Sequence, residues 1–216
     1  MANRLALPPL YVILDAALLP SDPIELTKKL LDAGARLFQY RNKTSSSREL
    51  LHASQALSMT VRQHGGTFLV NDRADISRLA GATGVHLGQD DLSVPAARDI
   101  VGADCLIGLS THNLRQFAAA VESSADYIAF GPIFPTSGKQ NPDPVVGVDL
   151  IRTARKLTTK PIVAIGGITL ERAREVIDAG ADSVAVISDI LKAKNPADRV
   201  RQYLQLIPAA AQPAEK

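Results

Sequence analysis

Cysteine is nearly absent. Cys105 is the one thiol in 216 residues, and it stands inside an apolar run. No disulfide framework can form within the chain, which excludes the small secreted scaffolds built on such bridges. Cys105 itself is expected to be a small buried hydrophobe. Charge of one sign is also missing: 24 basic residues face 22 acidic ones, net +2, with no long basic block. That argues against a bulk nucleic-acid binder and leaves a local basic pocket open. No apolar run reaches the ~18 residues of a membrane-spanning helix. The opening "MANRLALPPLYVIL" is too short and too broken by Pro8 and Pro9 for a signal peptide or anchor. The expectation is a cytoplasmic protein of enzyme size, one domain over residues 1–208 with a frayed tail over 209–216.

Two motif classes are lacking as well. The first apolar run continues as "YVILDAALLPSD", without the glycine-rich fingerprint of an open dinucleotide-binding sheet. No Ser/His/Asp triad or His-x-x-Glu-His zinc pattern appears.

What is present is a regular alternation. Eight short apolar or β-branched runs, "LYVILDA" (10–16), "RLFQYRN" (36–42), "TFLVND" (67–72), "GVHLGQ" (84–89), "CLIGLST" (105–111), "DYIAFGPI" (126–133), "PIVAIGG" (161–167) and "SVAVIS" (183–188), are each followed by a helix-sized gap. In the first gap Leu26, Leu30 and Ala33 share a helical face and Gly34 supplies a stop. In "TLERAREVIDAGA", Thr169 is placed to cap a helix that ends at Gly180. Eight strand-helix repeats predict a closed (β/α)8 TIM barrel, with an open doubly wound sheet as the rival. Barrel enzymes work at the C-terminal ends of their strands.

Those ends carry polar groups. Along the second run, Leu37, Gln39, Arg41 and Lys43 fall on one face and Phe38 and Tyr40 on the other. The helices should cover the bulky apolar pair, so Gln39, Arg41 and Lys43 are predicted at the barrel mouth, where two cations suit phosphate oxygens. The third run ends in Asn71-Asp72, and Gln89-Asp90-Asp91 follows the fourth. Paired carboxylates beside cations suggest Mg2+ bridging to a diphosphate. Singly, Asp72, Asp91 or Ser93 would serve as helix caps. Ser110-Thr111-His112 end the fifth run and could bond a ligand or cap the helix near Asn113. Gly166-Gly167 and Ile187-Ser188 close the seventh and eighth runs and suit a second phosphate bound by backbone N–H groups, against the alternative of a bare tight turn. The residues alone therefore predict a barrel for two phosphorylated small molecules, one a metal-bound diphosphate, with chemistry that needs charge neutralisation more than proton transfer.

The set "FQYRNK", "VNDR", "GVHLGQDD", "GLSTH", "GPIFPTSGK", "IVAIGGI" and "VISDI", in this order over nearly the whole chain, resembles the thiamine phosphate synthase (thiamine-phosphate pyrophosphorylase) family. The resemblance implies a transferase that joins a hydroxymethylpyrimidine diphosphate to a thiazole phosphate, releasing diphosphate. It implies that Gln39, Arg41, Lys43 and Asn71 bind the pyrimidine diphosphate, that Asp72 and Asp91 hold Mg2+, and that Ser110 and Lys139 also reach the diphosphate substrate. Arg41, Lys43, Ser110 and Lys139 would be the catalytic set. Thr136, Ser137, Gly138, Gly167, Ile187 and Ser188 would contact the thiazole phosphate. The family pattern Pro-Thr-x-Thr-Lys is Pro135-Thr136-Ser137-Gly138-Lys139 here, so Gly138 lacks an expected hydroxyl, which predicts weaker thiazole phosphate binding rather than lost chemistry. The resemblance leaves the oligomeric state and carboxylation of the thiazole open. A thiazole tautomerase on the same scaffold and a non-catalytic phosphate-ligand binder are the alternatives. The segment Gly131–Gly147, rich in proline and glycine, is expected to act as a lid ordered over the substrates.

Overall fold

The computed structural model describes residues 5–19, 22–136 and 144–207. Eight parallel strands close into a barrel in chain order, β1 pairing with both β2 and β8. They are β1 (Leu10–Asp15), β2 (Leu37–Arg41), β3 (Thr67–Asn71), β4 (Gly84–Leu87), β5 (Leu106–Thr111), β6 (Tyr127–Phe130), β7 (Ile162–Ile165) and β8 (Ser183–Val186). Helices α1 (Pro23–Asp32), α2 (Ser47–Gln63), α3 (Ala74–Leu79), α4 (Val94–Val101), α5 (Leu114–Glu122), α6 (Val148–Arg155) and α7 (Leu170–Asp178) alternate with them. Short α8 (Ser188–Leu191) and α9 (Pro196–Leu206) follow β8. The eight predicted runs all become strands. Most stop one to three residues before the run does, and the freed residues stand at the mouth.

Local chemistry explains the helix starts. Asp22 accepts from Ile24 N (2.9 Å) and Glu25 N (3.1 Å) ahead of Pro23. Ser46 and Glu49 form a reciprocal capping box at α2. Ser93 caps α4 and Asn113 caps α5. Thr169 holds the N-cap position of α7 but makes no capping bond; its hydroxyl bonds the Glu171 carboxylate instead. Asp72 does not cap α3, whose N-cap is Arg73.

Strand alternation sorts the core into two shells. Val12, Leu14, Phe38, Tyr40, Phe68, Val70, Ile128 and Phe130 point outward into the layer shared with the helices. Tyr11, Ile13, Leu37, Leu69, Tyr127, Ala129, Val163 and Ala185 fill the barrel interior. Each fully buried large side chain contributes roughly 1.5–3 kcal/mol, so both shells are needed. Gly108 on β5 is what admits Tyr127, since a Cβ there would overlap the tyrosine ring.

The lower end of the barrel is tied by a repeated device. Asp126 accepts from Ile107 N (2.7 Å) and Arg98 (2.7 Å), and Asp182 accepts from Ile162 N (2.8 Å) and Arg155 (2.8 Å). Cys105 lies at this end, half-buried rather than fully enclosed, beside a recess of about 420 Å3 that shares no residue with the mouth.

Candidate active site

At the upper end a cavity of about 750 Å3 opens among the strand ends. Of the predicted residues, Gln39, Arg41, Asn71 and Ser110 line it from β2, β3 and β5. Thr136, Gly167, Ile187 and Ser188 line it from the loops after β6, β7 and β8. Two groups of residues far apart in sequence therefore face one space, and Gln39 and Arg41 stand in it as the alternation on β2 predicts. Ser137, Gly138 and Lys139 lie outside the described residues, as does the middle of the expected lid.

Arg41 does not stand alone. Its Nη1 donates to Asp15 Oδ2 at 2.5 Å, across the β1–β2 register that pairs the two residues. Asp15 also accepts from Ala17 N at 3.0 Å. One guanidinium edge is thus committed to the protein, leaving the others for a ligand that fits its planar fork.

Lys43, Asp72 and Asp91 form a cluster beside the cavity rather than in its lining. Lys43 bonds the Asp72 carboxylate. Asp72 is the only non-glycine residue with positive φ (63°) among the described residues, a conformation aspartate tolerates better than most. Asp91 Oδ2 accepts from Gly88 N at 2.6 Å. Partial burial raises the pKa of Asp91, and the adjoining Asp72 carboxyl, close enough to hydrogen-bond with it, raises it further; the Gly88 N–H and Lys43 act against both. The cluster sets two carboxylates beside one ammonium. No group of three or more His, Cys, Asp or Glu side chains forms a metal site among the described residues. The pair would leave the remaining positions of an ion to phosphate oxygens and water.

The second-phosphate end is built from close backbone. Ile133 N donates to Ile165 O (2.9 Å) and Phe134 N to Gly166 O (3.0 Å), fastening the loop after β6 to the end of β7. Gly167 has φ 63°, and a Cβ there would lie 2.5 Å from Pro135 O. Its missing side chain therefore serves the packing of this loop as well as any ligand's approach. Arg172, on the first turn of α7, donates to Gly167 O (2.9 Å) and lies 4.6 Å over the Phe134 ring. Thr169 provides no side-chain cap for α7, and the Glu171 carboxylate in the first turn accepts from its own backbone N–H.

The floor holds groups that the reading of the sequence missed. Tyr11, His86 and Tyr127 join Gln39 to Ser110 through buried hydrogen bonds of 2.8–3.1 Å. Burial lowers the His86 pKa from 6.5 to about 4, so the ring is neutral at ordinary pH. Both tyrosine hydroxyls are pushed upward by burial. His112 bonds Gly131 O through Nδ1 (2.8 Å), a structural tie between β5 and β6. Thr111 donates to Ala129 O and does not cap α5. The period-two rule that assigned β2 would have placed Tyr11, Asp15, His86 and Tyr127 inside as well.

Known proteins resemble this chain over most of its length. A family model described as thiamine monophosphate synthase matches residues 10–190. The thiamine-phosphate synthase of Koribacter versatilis is 50% identical over 212 residues, covering 96% of this chain and 99% of that protein. The thiamine-phosphate synthase of Chlorobium phaeovibrioides is 44% identical, covering 88% and 89%. Among solved structures, a thiamine phosphate pyrophosphorylase from Pyrococcus furiosus superposes with a TM-score of 0.84 at 32% identity, covering 92% of this chain and 94% of that one.

Proposed function

The chain belongs to the thiamine monophosphate synthase family and is a transferase that forms thiamine phosphate, and we propose the division of labour by which its own residues do so. The observation that carries the reading is the single cavity with Gln39, Arg41, Asn71 and Ser110 on one side and Thr136, Gly167, Ile187 and Ser188 on the other. The first wall receives the 4-amino-2-methyl-5-hydroxymethylpyrimidine diphosphate, and the second receives the phosphate of the thiazole or its carboxylated form.

Arg41 and Lys43 bind the diphosphate, joined by Lys139. A cation and an anion about 4 Å apart attract by about 4 kcal/mol at an effective dielectric of 20, so each group moved out of place costs measurably. Asp72 and Asp91 would hold a Mg2+ ion, whose chemistry would be to neutralise charge on the departing diphosphate. The carbon–oxygen bond to the pyrimidine methylene breaks with both electrons leaving on the diphosphate. The lone pair of the thiazole nitrogen then forms the new carbon–nitrogen bond. With the uncarboxylated thiazole no proton has to move, which fits a floor whose histidine is neutral and whose tyrosines stay protonated; the carboxylated form would also lose CO2 and take up one proton at the carbon it leaves. The protein's work is to hold the two rings facing one another and keep the diphosphate neutralised.

The test is to incubate the purified chain with both substrates and Mg2+ and assay for thiamine phosphate and diphosphate. Formation of both supports the reading. Isomerisation of a thiazole phosphate without use of the pyrimidine diphosphate, or tight binding of both substrates without turnover, would overturn it.

A further inference from the structure

Five strands contribute to one continuous chain of hydrogen bonds beneath the cavity. Gln39 Nε2 donates to Tyr11 Oη (2.8 Å), Tyr11 Oη meets Tyr127 Oη (3.1 Å), Tyr127 Oη meets His86 Nδ1 (2.8 Å), and His86 Nε2 meets Ser110 Oγ (2.8 Å). Gln39, Tyr11, Tyr127 and His86 are 2%, 1%, 0% and 7% exposed, so water offers the inner members no alternative partners.

Each hydroxyl has one proton, and that fixes the direction of every bond. Tyr11 accepts from the Gln39 amide, so its own proton goes to Tyr127. Tyr127 accepts there, so its proton goes to His86 Nδ1. The neutral imidazole then carries its proton on Nε2 and donates it to Ser110 Oγ. Ser110 accepts from below and keeps its own proton for the cavity that it lines. At the other end, Gln39 spends an N–H on Tyr11 and retains its carbonyl oxygen as an acceptor. Reversing the Gln39 amide would reverse all four bonds and turn Ser110 from donor to acceptor. A doubly protonated ring would set an Nδ1–H against the Tyr127 proton, so this order goes with the neutral imidazole.

We propose that Tyr11, Tyr127 and His86 are positioning residues whose chain of fixed polarity makes Ser110 a hydrogen-bond donor and the Gln39 side chain an acceptor toward the bound ring. An aminopyrimidine offers the matching pattern, an exocyclic amine that donates and ring nitrogens that accept. An oxo-pyrimidine, with a carbonyl and a ring N–H, offers the reverse and is selected against. The match to the ring rests on the synthase reading; the polarity does not.

The test reads polarity and consequence separately. Nitrogen NMR of the ligand-free, 15N-histidine-labelled full chain, with His86→Asn to assign the signal, should show His86 protonated at Nε2 and imine-like at Nδ1. Tyr11→Phe, and independently Tyr127→Phe, should shift the ring to a tautomer mixture. Either should lower kcat/KM for the pyrimidine diphosphate about tenfold, the effect of one lost hydrogen bond, with KM for the thiazole phosphate unchanged. In either background Ser110→Ala should cost less than it does in the parent. An Nδ1–H tautomer, or an imidazolium at neutral pH, overturns the polarity. Unchanged kcat/KM in both phenylalanine variants overturns the positioning role. An Nε2–H tautomer in a protein that makes no thiamine phosphate overturns the synthase reading and leaves the polarity standing.

Discussion

Acidification should destabilise the protein through His86 before most carboxylates titrate. The folded state holds the ring neutral down to about pH 4, whereas the unfolded chain protonates it near 6.5. Between those values the unfolded state binds more protons, so stability falls as pH falls. The stability difference is fully present above about 6.5 and is lost progressively toward 4. The gap of about 2.5 units corresponds to about 3.4 kcal/mol at its limit, and to about 2 kcal/mol at pH 5. The assay is urea unfolding followed by circular dichroism at pH 7 and pH 5, for the parent and for His86→Gln. Glutamine can still bond Tyr127 and Ser110 but does not titrate. Because all other groups are shared, the change of the parent-minus-variant difference between the two pH values isolates the imidazole. The parent should lose about 2 kcal/mol more than the variant, roughly a 1 M shift in the urea midpoint. The same difference at both pH values, within about 0.5 kcal/mol, would refute a ring held neutral by burial.

Two further outcomes concern the mouth. Asp72→Asn, which keeps a side chain tolerant of the positive φ, should lower turnover about 100-fold and weaken Mg2+ dependence while leaving KM for the thiazole phosphate in place; steady-state kinetics across a Mg2+ titration check this, and undiminished turnover would count against the metal pair. Asp15→Asn keeps an acceptor for Arg41 but removes the anion that competes for it, so inhibition by product diphosphate should tighten, by about tenfold if roughly 1.4 kcal/mol of competition is lifted; weaker inhibition would mean that Asp15 chiefly orients Arg41.

The barrel was legible because its signals are local. Eight β-branched runs, each followed by a helix-sized gap, leave little other topology, and the ends of β2, β3, β5, β7 and β8 carry their polar residues in plain view. Gln39 and Arg41 were found by counting faces, and Ser110 by its place at a strand end. Tyr11 and Tyr127 were not, because a tyrosine in an apolar run reads as core. Their hydroxyls acquire a role only when residues 116 positions apart meet at 3.1 Å. His86 was hidden in the same way: its partners come from β5 and β6. Asp15 closes a run whose apolar residues drew the attention, and its partner comes from the next strand. Thr169 and Asp72 show the opposite error. Residue type made each a candidate cap, yet Thr169 turns to Glu171, and Asp72 adopts a left-handed backbone and pairs with Lys43.

The seam between β1 and β8, where Leu10, Tyr11 and Val12 pair with Val184, Ala185 and Val186, bears on how the protein is made. During synthesis Tyr11 and Asp15 emerge long before β8, the strand that closes the ring beside them. A nascent chain halted after β7 would expose two unpaired sheet edges and hold half of a phosphate site. Binding competence should therefore arrive late and abruptly on a ribosome-bound length series, once the ring can shut.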